Sequence, residues 1–229
     1  MKHPHWKEQA VTAAGLALVL SLAFYLLDWH QAALSKAGAH FLNLSMNWEN
    51  QIPLSPGWVW IYYTYFPFLF MPVLLSEVRR EIGLFRRVAL GFGIQYGVAF
   101  IFFLLIPVRM DRPVAIRGSW SENALAFLYD IDPGFNILPS LHVSNTVFVA
   151  SLMWRLREPA LGIPAWIGCG LITASTLLVK QHYAVDLVFG AILGAAVYWF
   201  CIRFRKVIAW MDAPRTADGL DSRRSSVNL

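Results

Sequence analysis

Charge is what this sequence has least of. Only 14% of its 229 residues are Asp, Glu, Lys or Arg, where a soluble globular domain carries about 25%. So few charges cannot cover a water-facing surface, which argues against a soluble enzyme and against disorder alike. Cysteine is almost absent. Cys169 and Cys201 both fall inside apolar blocks and lack metal-ligand spacing, so no disulfide framework is expected, and the redox compartment stays open. There is no internal repeat. What the chain has is 57% hydrophobic residues and a mean hydropathy of +0.50, gathered in blocks of about 20, the length that crosses a bilayer. The net charge of +5 sits in short basic clusters between those blocks, which reads as a topology signal and not as a nucleic-acid surface.

The blocks predict an all-α, polytopic membrane protein with six transmembrane helices in a bundle. They lie at about Ala10–Leu27, Trp58–Leu75, Val88–Val108, Leu138–Trp154, Ala160–Val179 and Tyr183–Ile202. Residues 1–211 form one domain, and 212–229 a polar tail without periodicity, expected to be disordered and cytoplasmic. The first block exceeds the h-region of a signal peptide and reads as an uncleaved anchor. Six spans put both termini on one side, together with fourteen of the 19 Lys and Arg residues. The positive-inside rule makes that side cytoplasmic. Lys36, Arg109, Arg112, Arg117 and Lys180 then fall on the translocated side and need another explanation.

Two loops on that side are long. The stretch 30–57 carries Phe41, Leu42, Leu44, Met46 and Trp48, enough to lie along the membrane interface. The stretch 113–139 opens with Ser119-Trp120-Ser121-Glu122, a capping box that predicts a short helix. Both are either topological filler or lids over a lipid entrance. Asn43-Leu44-Ser45 matches a glycosylation sequon, a pattern common by chance.

Chemistry is concentrated at the mouths of the later blocks. Asp186 is the one acid well inside a predicted span, and an ionisable group there is expensive enough to mark a functional site. His182 stands four residues before it. If both are helical they share a face, so Asp186 can hold one imidazole nitrogen and leave the other as a lone pair, the arrangement of a nucleophile or base with its orienting acid. The bland alternative is a structural polar pair. However, the same topology brings Arg109, Arg112, His142, Lys180, His182 and Asp186, from three segments, to one membrane face. Several cations around two histidines suit a dianion such as a phosphate monoester. Headgroup anchoring would explain the arginines otherwise, and snorkelling Lys180.

Pro139-Ser140-Leu141-His142 resembles the P-S-G-H motif of the type 2 phosphatidic acid phosphatases, the PAP2 superfamily. Ser175-Thr176, five residues, His182, three residues and Asp186 resembles its S-R-x5-H-x3-D motif, and Arg112-Pro113 the end of its K-x6-R-P motif. Three positions depart: Leu105 stands for lysine, Thr176 for arginine and Leu141 for glycine. The P-S-L-H and Q-H-Y-x-x-D forms are similar to the inositol phosphorylceramide synthase branch. The resemblance implies that His182 attacks phosphorus, Asp186 holds its tautomer, and His142 protonates the leaving alcohol. Arg112, Lys180 and Arg109 would bind the phosphoryl oxygens, Lys180 and Arg109 replacing the cations missing at 176 and 105. Ser140 and the backbone after it would add donors. It implies no metal and no cofactor.

The expected function is a membrane-embedded lipid phosphatase that removes a phosphate monoester or pyrophosphate, with the site at the non-cytoplasmic face. A phosphotransferase would share the triad and differ in its acceptor, and apolar loops that exclude water lean that way. The rivals are an anion channel or transporter, a non-catalytic lipid-binding scaffold, and a vanadium haloperoxidase, which is soluble and so fits this composition poorly. The expected partners are a phosphorylated lipid and membrane lipids, without nucleic acid. The short compact chain leans towards a bacterial inner membrane. Neither the lipid nor the oligomeric state is legible.

Overall fold

The computed structural model describes residues 6–75, 78, 80–114, 117–157 and 160–212. His3, His5 and the tail 213–229 lie outside the described residues. The apolar blocks fold as α1 (Trp6–Lys36), α2 (Val59–Tyr63), α3 (Tyr65–Leu74), α4 (Ile82–Leu105), α6 (Leu141–Arg157), α7 (Gly162–Leu178) and α8 (Ala184–Tyr198), with α5 (Trp120–Ile131) in the second long loop and α9 (Arg205–Asp212) at the end. Two 3-10 turns, Asn47–Gln51 and Pro56–Trp58, precede α2, and a π turn, Trp199–Arg203, extends α8.

Among the described residues, three helices are long and apolar enough to cross a membrane: Gln9–Lys36, Ile82–Leu105 and Ala184–Arg203. The protein is membrane-associated. The second apolar block is not one helix. It breaks at Thr64, whose hydroxyl donates to the Ile61 carbonyl at 2.6 Å, and Pro67 in the next turn has no N–H with which to continue the ladder. The first helix runs nine residues past the predicted end at Leu27. The polar residues that follow are tied inward: Asp28 accepts from Asn136 Nδ2 at 3.4 Å, and Gln31 Nε2 donates to the Phe103 carbonyl at 2.6 Å. Asp186 is therefore not the one buried helical acid, because Asp28 is 6% exposed.

The helix α6 stands at the centre, against α3, α4, α7 and α8. That position explains how Ser144, Asn145 and Thr146 occupy a buried helix: Ser144 Oγ donates to Gln95 Oε1 at 2.5 Å, Asn145 Nδ2 to Tyr65 Oη at 2.7 Å, and Thr146 Oγ1 to the His142 carbonyl at 2.8 Å. On α8, Gly190 and Gly194 face α6. A Cβ on Gly190 would come within 2.5 Å of the Ser140 carbonyl oxygen, and one on Gly194 would strike the Ser144 backbone. Only glycine permits this close crossing, the small-residue mode of membrane helices.

At the end where α6 and α8 begin, α5 packs against α2 and the 3-10 turn before it. Its predicted capping box forms: the Ser119 N–H donates to Glu122 Oε2 at 2.7 Å and the Glu122 N–H to Ser119 Oγ at 3.3 Å. Its inner face, Leu125 and Leu128, packs on Val59, Tyr62 and Val179. Exposed tryptophans mark both ends of the bundle, Trp48, Trp60 and Trp120 at this one and Trp154, Trp166, Trp199 and Trp210 at the other.

Candidate active site

The α7 helix ends at Leu178, and Lys180 then takes a left-handed conformation at φ 52°. That turn lets one acceptor, the Thr176 carbonyl, receive the N–H groups of both Gln181 at 2.8 Å and His182 at 3.3 Å. His182 therefore lies ahead of α8 and not on it, which corrects the helical i, i+4 argument. The pair meets through capping instead. Asp186, in the first turn of α8, accepts the Tyr183 N–H at 2.9 Å with Oδ2, and the same oxygen lies 3.4 Å from His182 Nδ1. Asp186 is wholly buried and its Oδ1 has no partner.

Pro139 and Ser140 open α6. The Ser140 N–H donates to the Asp186 carbonyl at 3.1 Å, and Ser140 Oγ accepts the Val143 N–H at 3.3 Å, so Ser140 ties the two helix starts together. This fixes His142 against His182, with Nδ1 of the first 3.2 Å from Nε2 of the second. If His182 Nδ1 carries its proton towards Asp186, His182 Nε2 is left as a lone pair, and His142 Nδ1–H can donate to it. Aromatic rings from the broken second block hold His142: Tyr62 at 4.7 Å and Tyr65 at 4.3 Å between centroids.

The candidate cations are placed differently from one another. Lys180 lines a cavity of about 460 Å³ together with His182. It does so from the left-handed turn, not from a helical position over Thr176, and its Nζ donates to the Glu49 carbonyl at 3.1 Å. Burial holds its ammonium below the usual lysine range, and the Glu49 carboxylate pulls it partly back. Arg112 and Arg109 line a neighbouring cavity that His182 does not reach. Arg112 is engaged: its Nη1 donates to the Asp132 carbonyl, its Nη2 to Asp132 Oδ1 at 3.1 Å and to Gln181 Oε1 at 2.5 Å, and its guanidinium stacks 5.0 Å from the Tyr129 ring centre. Burial raises the Tyr129 phenol to about 12 in spite of that cation. Arg109 donates to Ser35 Oγ at 3.2 Å and lies over Phe135. Leu105, the missing lysine position, is 74% exposed, and Thr176 is buried.

Sequence reasoning missed four residues. Tyr62 and Tyr65 are three apart in an apolar block, a spacing indistinguishable from core. Gln181 is inside a quoted motif but received no role; it joins Arg112 to the peptide before His182. Glu49, a lone acid in an apolar loop, is buried and accepts the N–H groups of Met46 and Ala184 at 2.5 Å each. It ties down the stretch 43–54, from which Asn43, Ser45, Asn50 and Leu54 also line the cavity. Among the described residues no three His, Cys, Asp or Glu side chains group as a metal site.

A sequence model of the PAP2 superfamily matches residues 33–200. No curated protein and no solved structure matches the chain.

Proposed function

The chain belongs to the PAP2 superfamily, and from that membership we propose a membrane-embedded lipid phosphatase that works through a phosphohistidine on His182. The family supports phosphatase-type activity in general. The observation that carries the finer reading is the contact of His142 Nδ1 with His182 Nε2 at 3.2 Å, backed by Asp186 on the far nitrogen, with His182 itself on the wall of the Lys180 cavity.

In the first half-reaction His182 Nε2 attacks phosphorus and the bond from phosphorus to the lipid oxygen breaks. The leaving oxygen takes the Nδ1 proton of His142, which enters the step as an imidazolium protonated on both nitrogens and is left as neutral imidazole. Asp186 retains the His182 Nδ1–H and stabilises the imidazolium character that develops there. Lys180 and the first amides after Ser140 offset charge on the phosphoryl oxygens. In the second half-reaction water loses a proton to His142 and attacks phosphorus, and inorganic phosphate leaves with His182 restored. Arg112 acts at one remove: it holds Gln181, and so the peptide that presents His182. The basic clusters at the opposite bundle end, Arg86, Arg87, Arg155, Arg203, Arg205 and Lys206, support a cytoplasmic face there and a site on the translocated face. Six spans follow if α2 with α3, α6 and α7 complete the crossing.

The stretch 43–54 on the wall of the His182 cavity favours a second reading, transfer to a lipid hydroxyl, if it excludes water there when substrate is bound. One experiment separates the two. Purified protein and His182→Ala are given radiolabelled lipid phosphates with and without alcohol acceptors. Free phosphate, lost in the variant, supports the phosphatase; a new phospholipid without free phosphate supports transfer; turnover equal in both proteins overturns the His182 assignment.

A further inference from the structure

To protonate the leaving oxygen His142 must carry two protons, yet among the described residues no carboxylate bonds its ring. We propose that Tyr62 and Tyr65 are positioning residues for His142, whose ring faces hold its imidazole and stabilise its imidazolium form. This deepens the reading of His142 as the acid of the reaction and rests on it.

The other groups around His142 do not supply a counterion. Of the charges that act on it, Arg112 is a cation, and His182 becomes one as it attacks. Asp186 stands behind His182, on its far nitrogen. From α4 comes Tyr96, bonded to Tyr65. From α7 comes Cys169, bonded to Thr146 a turn further along α6. What packs on the imidazole itself is aromatic. The ring centres of Tyr62 and Tyr65 lie 4.7 and 4.3 Å from that of His142, inside the reach of about 6 Å over which the negative face of a ring attracts a cation. Both tyrosines are buried, and the attraction grows where water is kept out.

The placement of Tyr65 is built into α6. Asn145 follows His142 by three residues and so shares its helix face. It is buried, and its Nδ2 donates to Tyr65 Oη at 2.7 Å. The one ring is therefore gripped twice from the same helix turn, on its face by His142 and at its hydroxyl by Asn145. This fixes the face against the imidazole.

The test reads the proton on His142 directly. Isotope-labelled histidine reports the imidazolium by NMR in the intact chain in detergent, and the His142 signal is the one lost in His142→Asn. Tyr65→Phe keeps the face and is expected to keep the His142 titration midpoint. Mono-, di- and trifluorinated phenylalanines at the same position keep the shape and weaken the face step by step. A weaker face favours the cation less, so the midpoint falls with each fluorine, by about one unit over the series. The same series at position 62 moves it in the same direction. With a radiolabelled lipid phosphate, kcat falls alongside the midpoint while KM holds, because the rings act through His142. A packing role would follow size and not fluorination. A midpoint equal across the series at both positions overturns the proposal. So does a fall in Tyr65→Phe that fluorination does not extend, which would assign the effect to the hydroxyl. Turnover that survives His142→Asn, with the midpoint still following fluorination, counts against the acid reading and not against the ring effect.

Discussion

Glu49 Oε1 accepts the N–H of Ala184 at 2.5 Å, across 135 positions of sequence. Its other oxygen accepts the Met46 N–H at the same distance, and its carbonyl accepts Lys180 Nζ. One residue thus fastens the stretch around Met46, the first amide of α8 and the turn that precedes His182. Two N–H donors on two oxygens require a carboxylate, since it accepts only. Glu49→Gln sets an NH2 group against one of those amides. The expected cost is about 1–3 kcal/mol, read as a lower Tm in detergent. A Tm equal to wild type would mean that the clasp does not form.

The same substitution tests Lys180 through pH. Burial lowers the Lys180 ammonium and the Glu49 charge offsets part of that shift. If Lys180 must be a cation to hold phosphate, kcat/KM falls as pH rises through its lowered pKa. Glu49→Gln removes the offsetting charge, so the alkaline limb moves to lower pH. Lys180→Arg keeps the charge at any accessible pH, and the limb should vanish or rise. An alkaline limb at the same pH in all three proteins would remove Lys180 from the phosphate site.

Composition and motif spacing made the helical class, the helix start at Ser119, and the His142, His182 and Asp186 group legible. Those features are local or follow from hydrophobic length. The rest depended on tertiary placement. Thr64 and Pro67 break a block that hydropathy averages into one span. Lys180 reaches its cavity because of a left-handed turn that no periodicity announces. Arg109 and Arg112 reach the same bundle end as His182, and the residues that hold Arg112 there, Asp132 and Gln181, are silent in hydropathy.

The imidazole pair makes a kinetic prediction. In the proposed mechanism the lone pair of His182 faces His142 Nδ1–H, 3.2 Å away, and that proton is the one delivered to the leaving oxygen. Replacing His142 frees the nucleophile but removes the acid and, later, the base. His142→Asn should therefore slow water attack by about 100-fold or more and accumulate an acid-labile, base-stable phosphoenzyme. Rapid quench with labelled substrate detects it. Absence of label on the protein, with residual turnover still dependent on His182, would mean that His142 acts only before the intermediate forms.

The 3.2 Å pair exists because two backbones touch. Gly190 and Gly194 let α8 press on the Ser140 and Ser144 carbonyls, and Ser140 in turn binds the Asp186 carbonyl. A side chain at Gly194 meets backbone, which cannot swing aside, so the helices must part and carry His142 away from His182. A misplacement of roughly 1 Å between reacting groups costs about 100-fold in rate. Gly194→Leu should lose that much in kcat, and Gly194→Ala part of it, at temperatures where both remain folded. Gly97→Leu is the control, since a Cβ there meets nothing within 4 Å. Equal kcat in Gly194→Leu and Gly97→Leu would show that the α6–α8 crossing does not set the distance between the two histidines.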